Sequence, residues 1–233
     1  MRVSAITRCG KESESSQDRV LVGGRVLCGE EFSGEFAQPC AVGVADGVGG
    51  NAGGDIAAEF VCSRLSAMDR FTPEDARGIN EELLKYAVTI PGMESMASTF
   101  SGIFPGGKLL HVGNTRVSAV QGGYLKQLTI DMTTYNYLMS LGRTKEAEQC
   151  RRSEITACFG GGRESFYSPV ALEVKQTGVL LITSDGVHDH VTTDELEELL
   201  PGAGDDLEIC RRIIGRALEN GSEDDMSAVL VRY

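Results

Sequence analysis

The chain has 233 residues, of which 41% are hydrophobic and 24% are charged, and its formal net charge at pH 7 is −12. This length is ample for a sizeable core, and the composition is that of an ordinary folded protein. The acidic balance argues against a nucleic-acid partner, because a phosphate backbone is held by clustered lysines and arginines. It is compatible with cation binding.

The cysteines are odd in number and widely spaced. The seven positions are Cys9, Cys28, Cys40, Cys62, Cys150, Cys158 and Cys210. No CxxC pair occurs, so neither a zinc knuckle nor a CxxC redox motif is indicated. No signal peptide and no stretch long enough to span a membrane is recognised. We therefore expect reduced thiols, a cytoplasmic location and no membrane association.

In chain order, the first half of the sequence predicts strands followed by two helices. Residues 19–27 read as a hairpin that turns at Gly23-Gly24, and residues 40–46 read as a short buried strand. Residues 54–71 and 74–90 carry apolar side chains at helical spacing. Pro73 and the acids that follow it are typical of a helix start.

The second half predicts mostly strands and ends with helices and a strand. Strands are expected over 96–104, 108–114 and 116–121, and a poorly amphipathic helical region over 135–152. "VALEV" and "GVLLITSDG" read as strands, "DELEELL" and "LEICRRIIGRALENG" as helices with Gly221 as C-cap, and "MSAVLVRY" as a final strand. Roughly eight strands and two helix pairs favour stacked sheets covered by helices over a doubly wound parallel sheet.

Acids lie at four places where buried strands meet loops. Asp46 and Asp185 each follow an apolar run and precede a glycine, whereas Asp18 and the Asp224-Asp225 pair stand just before strands. A single Asp-Gly is usually a turn, and the glycine-rich "GVGGNAGG" lacks the G-K-[ST] of a P-loop. Taken together, acids converging from distant segments suit hard divalent cations, which bind carboxylate oxygens and can activate water beside a phosphoryl group.

Five ordered motifs resemble those of the metal-dependent protein phosphatases, the PPM or type 2C serine/threonine phosphatases, in their bacterial branch. They are "SSQDRV", "VADGVGG", "LLHVGNTRVSAV", "LLITSDGVHDHV" and "EDDMSAVLV". The resemblance covers nearly the whole chain and implies a single phosphatase domain over residues 1–233. It implies an α+β fold, a four-layer αββα sandwich of two antiparallel sheets flanked by helix pairs.

The resemblance also implies a binuclear site. Two Mn²⁺ or Mg²⁺ ions would be held by Asp18, Asp46, the Gly47 carbonyl, Asp185 and Asp224. Asp46 would be the shared ligand, and a water bridging the ions would attack phosphorus in line without a phosphoenzyme. Asp46, Asp18 and Asp185 are therefore the expected catalytic acids, and a variable flap is expected over about 133–166.

Several positions depart from the family pattern. Gln17 replaces an acid before the first Asp, and Ser13 replaces an arginine that binds phosphate, so Arg8 or Lys11 are the candidate substitutes. Asn114 replaces an acid tied to a third ion in bacterial members, and Asp189 is expected to contribute to that region without completing it. His188 and His190 are candidate acids, although histidines beside a strand end are more often structural.

The function expected from the resemblance is hydrolysis of phosphoserine and phosphothreonine in a protein substrate. The enzyme would oppose a serine/threonine kinase and would act as a monomer. Two alternatives stay open: an impaired pseudophosphatase that serves as a regulatory binding module, motivated by Ser13, Gln17 and Asn114, and a partner-switching phosphatase that acts on a small regulatory protein.

Overall fold

The computed structural model describes residues 1–11, 15–49, 52–68, 71–162, 169–200 and 205–233. Within these residues the chain forms two six-stranded antiparallel sheets, a two-stranded ribbon and seven helices. No helix of the described residues is both long and apolar enough to cross a membrane.

The first sheet has the order β10-β9-β13-β14-β1-β4. Its strands are β1 (Arg2–Arg8), β4 (Glu31–Glu35), β9 (Arg116–Gln121), β10 (Tyr124–Gln127), β13 (Val179–Thr183) and β14 (Met226–Arg232). The two ends of the chain lie side by side in this sheet, since β1 pairs with β14 over its whole length, from Arg2 opposite Arg232 to Arg8 opposite Met226.

The second sheet has the order β12-β8-β7-β5-β2-β3. Its strands are β2 (Arg19–Val22), β3 (Arg25–Leu27), β5 (Val42–Ala45), β7 (Phe100–Phe104), β8 (Lys108–Val112) and β12 (Val170–Glu173). The ribbon pairs β6 (Ala97–Ser98) with β11 (Phe159–Gly160). The predicted hairpin over 19–27 is confirmed, with Val22 opposite Arg25 and a left-handed Gly23 at the turn.

Two helix pairs, the first and last in the chain, cover the outer faces of the sheets. The seven helices of the described residues are α1 (Gly54–Ser66), α2 (Pro73–Ala87), α3 (Thr134–Ser140), α4 (Thr144–Ala147), α5 (Asp185–His188), α6 (Thr193–Leu199) and α7 (Asp206–Glu219). Helix α2 begins at a capping box in which Thr72 and Asp75 exchange hydrogen bonds, which explains the sharp helix start predicted there. Helices α1 and α2 end at Ser66 and Ala87, several residues before the predicted ends.

Three apolar layers hold these elements together. One contains residues of α1 and α2 against the second sheet, another contains residues of α6 and α7 against the first sheet, and a third lies between the two sheets. The predicted four-layer αββα sandwich is therefore confirmed. The prediction of roughly eight strands is wrong: β1, β4, β10 and β11 were not anticipated, and the 96–104 run is divided into two strands.

Candidate metal centre

The four predicted acids lie at neighbouring strand ends. Asp18 precedes β2 and Asp46 follows β5, and these strands pair with Arg19 opposite Ala45. In the other sheet Asp185 follows β13 and Asp224 precedes β14, which pair with Thr183 opposite Ala228. Both pairs of ends meet at the same edge of the sandwich: Asp46, Asp185 and Asp224 line one cavity, and Asp18 accepts hydrogen bonds from Ser184 and Ser227 of the other sheet's segments.

Backbone hydrogen bonds fix the position of Asp46. Its carbonyl accepts from the Thr99 backbone N–H at 2.8 Å and from the Ser98 hydroxyl at 3.0 Å, and its N–H donates to Thr99 Oγ1 at 3.1 Å. Gly47 then packs against the backbone of Gly54 so closely that a Cβ would lie 2.4 Å from the Gly54 carbonyl carbon. Only glycine fits there, so the start of α1 can approach the acid.

Asp18 lies behind the other acids and is fully buried. Its Oδ2 accepts hydrogen bonds from the hydroxyls of Ser184 and Ser227, both at 2.7 Å. Its Oδ1 is buried and has no partner among the described residues. A buried, unpaired carboxylate oxygen is rare in folded proteins and indicates a missing partner such as an ion or a water.

Asp225 organises the loops around the site and was not anticipated in that role. Its Oδ1 accepts from the Gly10 N–H at 2.7 Å, and its Oδ2 accepts from the Gln17 N–H at 2.6 Å. Because Gln17 directly precedes Asp18, this carboxylate fixes the segment that carries Asp18 into the core. Sequence reasoning had no signal for it beyond its position next to Asp224.

The pKa values of these carboxyls are raised, mainly by burial. Burial raises the pKa of Asp18 to about 7, against partial compensation by the two serine hydroxyls. The pKa of Asp46 lies well above its usual range because of burial and the charges of Asp185, Asp18 and Asp224. Burial followed by the charge of a neighbouring acid also raises the pKa of Asp185 and of Asp224. Each shift comes from placing a charge away from water and beside like charges, and a bound cation would oppose both effects.

The acids open onto a cavity of about 210 Å³. Its wall includes Asp46, Gly47, Asp185, Asp224 and Asp225, together with Gln17 and Asn114, and no lysine or arginine of the described residues contributes to it. Among the described residues, no three histidine, cysteine or acidic side chains form a ready-made metal cage. A cation here would therefore need further oxygen ligands, such as the Gly47 carbonyl and water.

A second cavity of about 470 Å³ adjoins the first and shares Asn114 with it. Its wall includes Arg116, whose guanidinium donates hydrogen bonds of 2.6 and 3.0 Å to the Asp131 carboxylate. It also includes Arg152, whose guanidinium lies 4.6 Å from the centre of the Tyr135 ring. Asp189 also lines it. The flap predicted over 133–166 contributes residues between 133 and 152 to this cavity and residues 153 and 155 to the smaller one, and its last four residues lie outside the described residues.

Asn114 replaces a carboxylate with an amide in contact with the acids. Its side-chain N–H donates to Asp185 Oδ2 at 2.9 Å, while its Oδ1 is buried without a partner among the described residues. His188 is buried and bonded to the Thr183 hydroxyl at 2.8 Å, and burial lowers its pKa well below the usual range. His188 does not line the 210 Å³ cavity, and the backbone carbonyl of His190 accepts a hydrogen bond from the Asn220 side chain.

The candidate phosphate-binding side chains do not line the acidic cavity. Arg8 is exposed at the end of β1, and Lys11 faces Glu223 at 3.8 Å; neither lines the 210 Å³ cavity. Gln17 does line it, and Ser13 lies outside the described residues. The prediction that Arg8 or Lys11 binds phosphate stays a prediction.

Comparison with models of known protein families gives no match. One curated relative is the serine/threonine protein phosphatase PstP of Mycobacterium tuberculosis, which is 27% identical over 244 residues that cover 99% of this chain and 44% of PstP. Another is the serine/threonine phosphatase Stp of Listeria welshimeri, which is 24% identical over 222 residues that cover 87% of this chain and 88% of Stp. This chain thus spans less than half the length of PstP.

Among solved structures, the catalytic domain of PstP in complex with two manganese ions matches with a TM-score of 0.74 and 25% identity, covering 99% of this chain and 98% of that domain. The chain is similar to bacterial serine/threonine phosphatases over nearly its whole length. The resemblance expected from the five motifs is confirmed.

The donors present fit the hard divalent cations of this family. They are carboxylate, amide and carbonyl oxygens. One of them, Asp18 Oδ1, is buried without a partner among the described residues. No described lysine or arginine lines the cavity and competes for these oxygens. Oxygen donors of this kind suit Mn²⁺ and Mg²⁺ and are poorly matched to thiophilic metals.

Proposed function

We propose that this chain hydrolyses phosphoserine and phosphothreonine in proteins, using two Mn²⁺ or Mg²⁺ ions. The observation that supports this most directly is the cavity lined by four acids and no described lysine or arginine. A phosphate dianion cannot enter such a cavity unless cations first neutralise the acids. Divalent cations bound among the acids would neutralise them and would also admit the phosphate.

The ions would be held by Asp46, Gly47, Asp185 and Asp224, which line the cavity, and by the fully buried Asp18. When bound, the ions would supply an activated water and would neutralise the phosphoryl oxygens. The chain itself orients these ligands: Thr99 and Ser98 fix the backbone of Asp46, and Ser184 and Ser227 fix Asp18. Asn114 holds Asp185 from the opposite side.

A protein substrate is supported by the second cavity. The 470 Å³ space continues from the acidic cavity through Asn114 and offers polar side chains of both charges to a segment beside the phosphorylated residue. PstP and Stp are named serine/threonine phosphatases, which supports the same substrate class. We infer that the enzyme opposes a serine/threonine kinase and acts as a monomer of one domain.

The test is hydrolysis of p-nitrophenyl phosphate and of a phosphothreonine peptide, with and without Mn²⁺. Asp46→Asn is compared with the wild type, and Asp194→Asn, an exposed acid in the first turn of α6, is the matched control. We expect activity that requires Mn²⁺, survives in Asp194→Asn and disappears in Asp46→Asn. Absence of Mn²⁺-dependent turnover in the wild type, with Mn²⁺ still bound by calorimetry, would favour the regulatory binding module instead.

A further inference from the structure

A buried arginine binds the segment that carries Asp18 into the core. Arg19 is the first residue of β2, and its side chain is 11% exposed. Its Nη1 donates to the Ser16 carbonyl at 2.6 Å and to the Asp18 carbonyl at 2.9 Å. Its Nε donates at 2.8 Å to Oε2 of Glu59, which lies in α1. One guanidinium thus joins the segment before β2 to a helix.

The guanidinium binds this segment where a neighbouring strand is missing. The pairing of β2 with β3 ends at Val20 opposite Leu27. The carbonyls of Ser16 and Asp18 lie beyond that end, and both accept hydrogen bonds from Arg19. Buried backbone carbonyls are rarely left unpaired in folded proteins, so removal of the guanidinium would loosen this segment or force it to find other donors.

The Asp18 carboxylate is held from the opposite side. Its Oδ2 accepts from Ser184 and Ser227, which belong to segments of the other sheet, whereas the Arg19 side chain reaches toward α1. A carboxylate held at one oxygen can still pivot about it. The position of Asp18 Oδ1, which has no partner among the described residues, therefore depends on the backbone that Arg19 holds.

We propose that Arg19 is a positioning residue for metal binding by Asp18 and that Glu59 orients its guanidinium. This inference rests on the proposed function, in which Asp18 holds a divalent cation. Arg19 does not line the 210 Å³ cavity, so its effect passes through the backbone of Asp18 and not through contact with an ion or a substrate. The planar guanidinium presents its donors in a fixed geometry, which suits two carbonyls and a carboxylate at once.

The test is calorimetric Mn²⁺ titration of the metal-free protein and its variants. Arg19→Met keeps an apolar stem and removes the donors, and we expect it to weaken Mn²⁺ binding about 10–100-fold, as is common for groups that orient a metal ligand. Glu59→Ala should weaken binding less. Glu59→Gln should bind Mn²⁺ like the wild type, because its side-chain oxygen can still accept from Arg19 Nε.

Asp206→Ala is the control for a general loss of stability. It disrupts an ion-pair cluster with Arg2 and Arg232, at the opposite end of β14 from Asp224. It should lower the melting temperature without weakening Mn²⁺ binding.

Hydrolysis of p-nitrophenyl phosphate over a range of Mn²⁺ concentrations gives a second readout. In Arg19→Met the Mn²⁺ concentration for half-maximal rate should rise by the same factor as the dissociation constant, and most of kcat should return at saturating Mn²⁺. A loss of kcat that saturating Mn²⁺ does not restore, with unchanged Mn²⁺ affinity, would contradict the positioning role.

Wild-type Mn²⁺ affinity in Arg19→Met overturns the proposal, as do equal losses of affinity in Arg19→Met and Asp206→Ala. If Arg19→Met does not fold, the comparison of Glu59→Ala with Glu59→Gln decides, and equal affinities of these two variants overturn the proposal. Absence of Mn²⁺ binding in the wild type is a different result, which overturns the proposed function and this role of Arg19 with it.

Discussion

The side-chain amide of Asn114 donates a hydrogen bond of 2.9 Å to Asp185 Oδ2. A neutral donor therefore occupies the place where related bacterial phosphatases were expected to carry an acid. It satisfies one oxygen of Asp185 and leaves its own Oδ1 buried without a described partner. A carboxylate at this position would add to the repulsion among the acids, whereas the neutral amide does not.

Replacement of Asn114 by aspartate should make the metal-free protein less stable and more dependent on metal. At pH 8 the new carboxylate would lie within hydrogen-bonding distance of Asp185, and two such charges repel strongly when partly buried. We expect a lower melting temperature without metal and a larger upward shift on adding Mn²⁺ than in the wild type, both measured by thermal unfolding.

Asn114→Ala is the matched control, since it removes the donor without adding charge. It should lower the melting temperature only modestly, because one hydrogen bond to Asp185 is lost. Equal effects of the two substitutions on the Mn²⁺-induced shift would show that charge at position 114 is not what matters.

The raised pKa values of the acids predict an unusual dependence of stability on pH. Burial raises the pKa of Asp18 from 3.8 to about 7, so the folded, metal-free protein binds more protons than the unfolded chain between these values. Its free energy of unfolding should therefore fall as the pH rises from about 4 to about 7, with the full loss present above pH 7. Thermal unfolding with EDTA from pH 5 to pH 8 measures this slope.

Added Mn²⁺ should reverse the slope, because the cation replaces the protons. Its stabilising effect is expected to be large at pH 8 and small at pH 5. Asp18→Asn retains an oxygen that can accept from Ser184 and Ser227 but carries no charge. It should flatten the metal-free slope, and a variant as steep as the wild type would contradict the assignment to Asp18.

The acids of the site could be predicted from the sequence because each interrupts a local pattern. An apolar run that ends at Asp46 or Asp185, or begins after Asp18, is visible without knowing any partner. The groups that support these acids could not be found in this way. Ser184, Ser227 and Thr99 are brought to Asp18 and Asp46 by pairing between strands far apart in sequence, and serines and threonines near strands carry no distinguishing pattern.

The missed strands have a similar explanation. Strand β4 alternates between exposed and half-buried residues at the edge of its sheet, and β10 has one buried residue in four. Strand β1 buries the polar Ser4 and Thr7 next to β14, from the other end of the chain. Such strands are stabilised by their neighbours more than by their own apolar content.

One ion-pair cluster should contribute strongly to stability. Asp206, at the start of α7, has a side chain 2% exposed and accepts from Arg2 Nε at 2.6 Å and from Arg232 Nε at 2.5 Å. It therefore joins the helix to both terminal strands. Asp206→Ala should lower the free energy of unfolding by about 2–3 kcal/mol, since removing one partner leaves charges partly buried and unpaired.

Chemical denaturation with urea measures this loss. Glu146→Ala, which removes an exposed ion pair with Arg143 within the flap, is the control and should change the midpoint little. A midpoint for Asp206→Ala that matches the control would show that the cluster contributes no more than a surface pair.

Arg152 should select substrates with acidic residues beside the phosphorylated one. Its guanidinium lies over the Tyr135 ring in the wall of the larger cavity and forms no salt bridge with a described residue. Arg152→Ala should raise KM for an acidic phosphopeptide about two- to fivefold, as expected for one exposed ion pair, and leave p-nitrophenyl phosphate hydrolysis unchanged. The neighbouring exposed Arg151→Ala serves as control. Equal losses for both substrates, or for both variants, would show that Arg152 supports the flap and does not read the peptide.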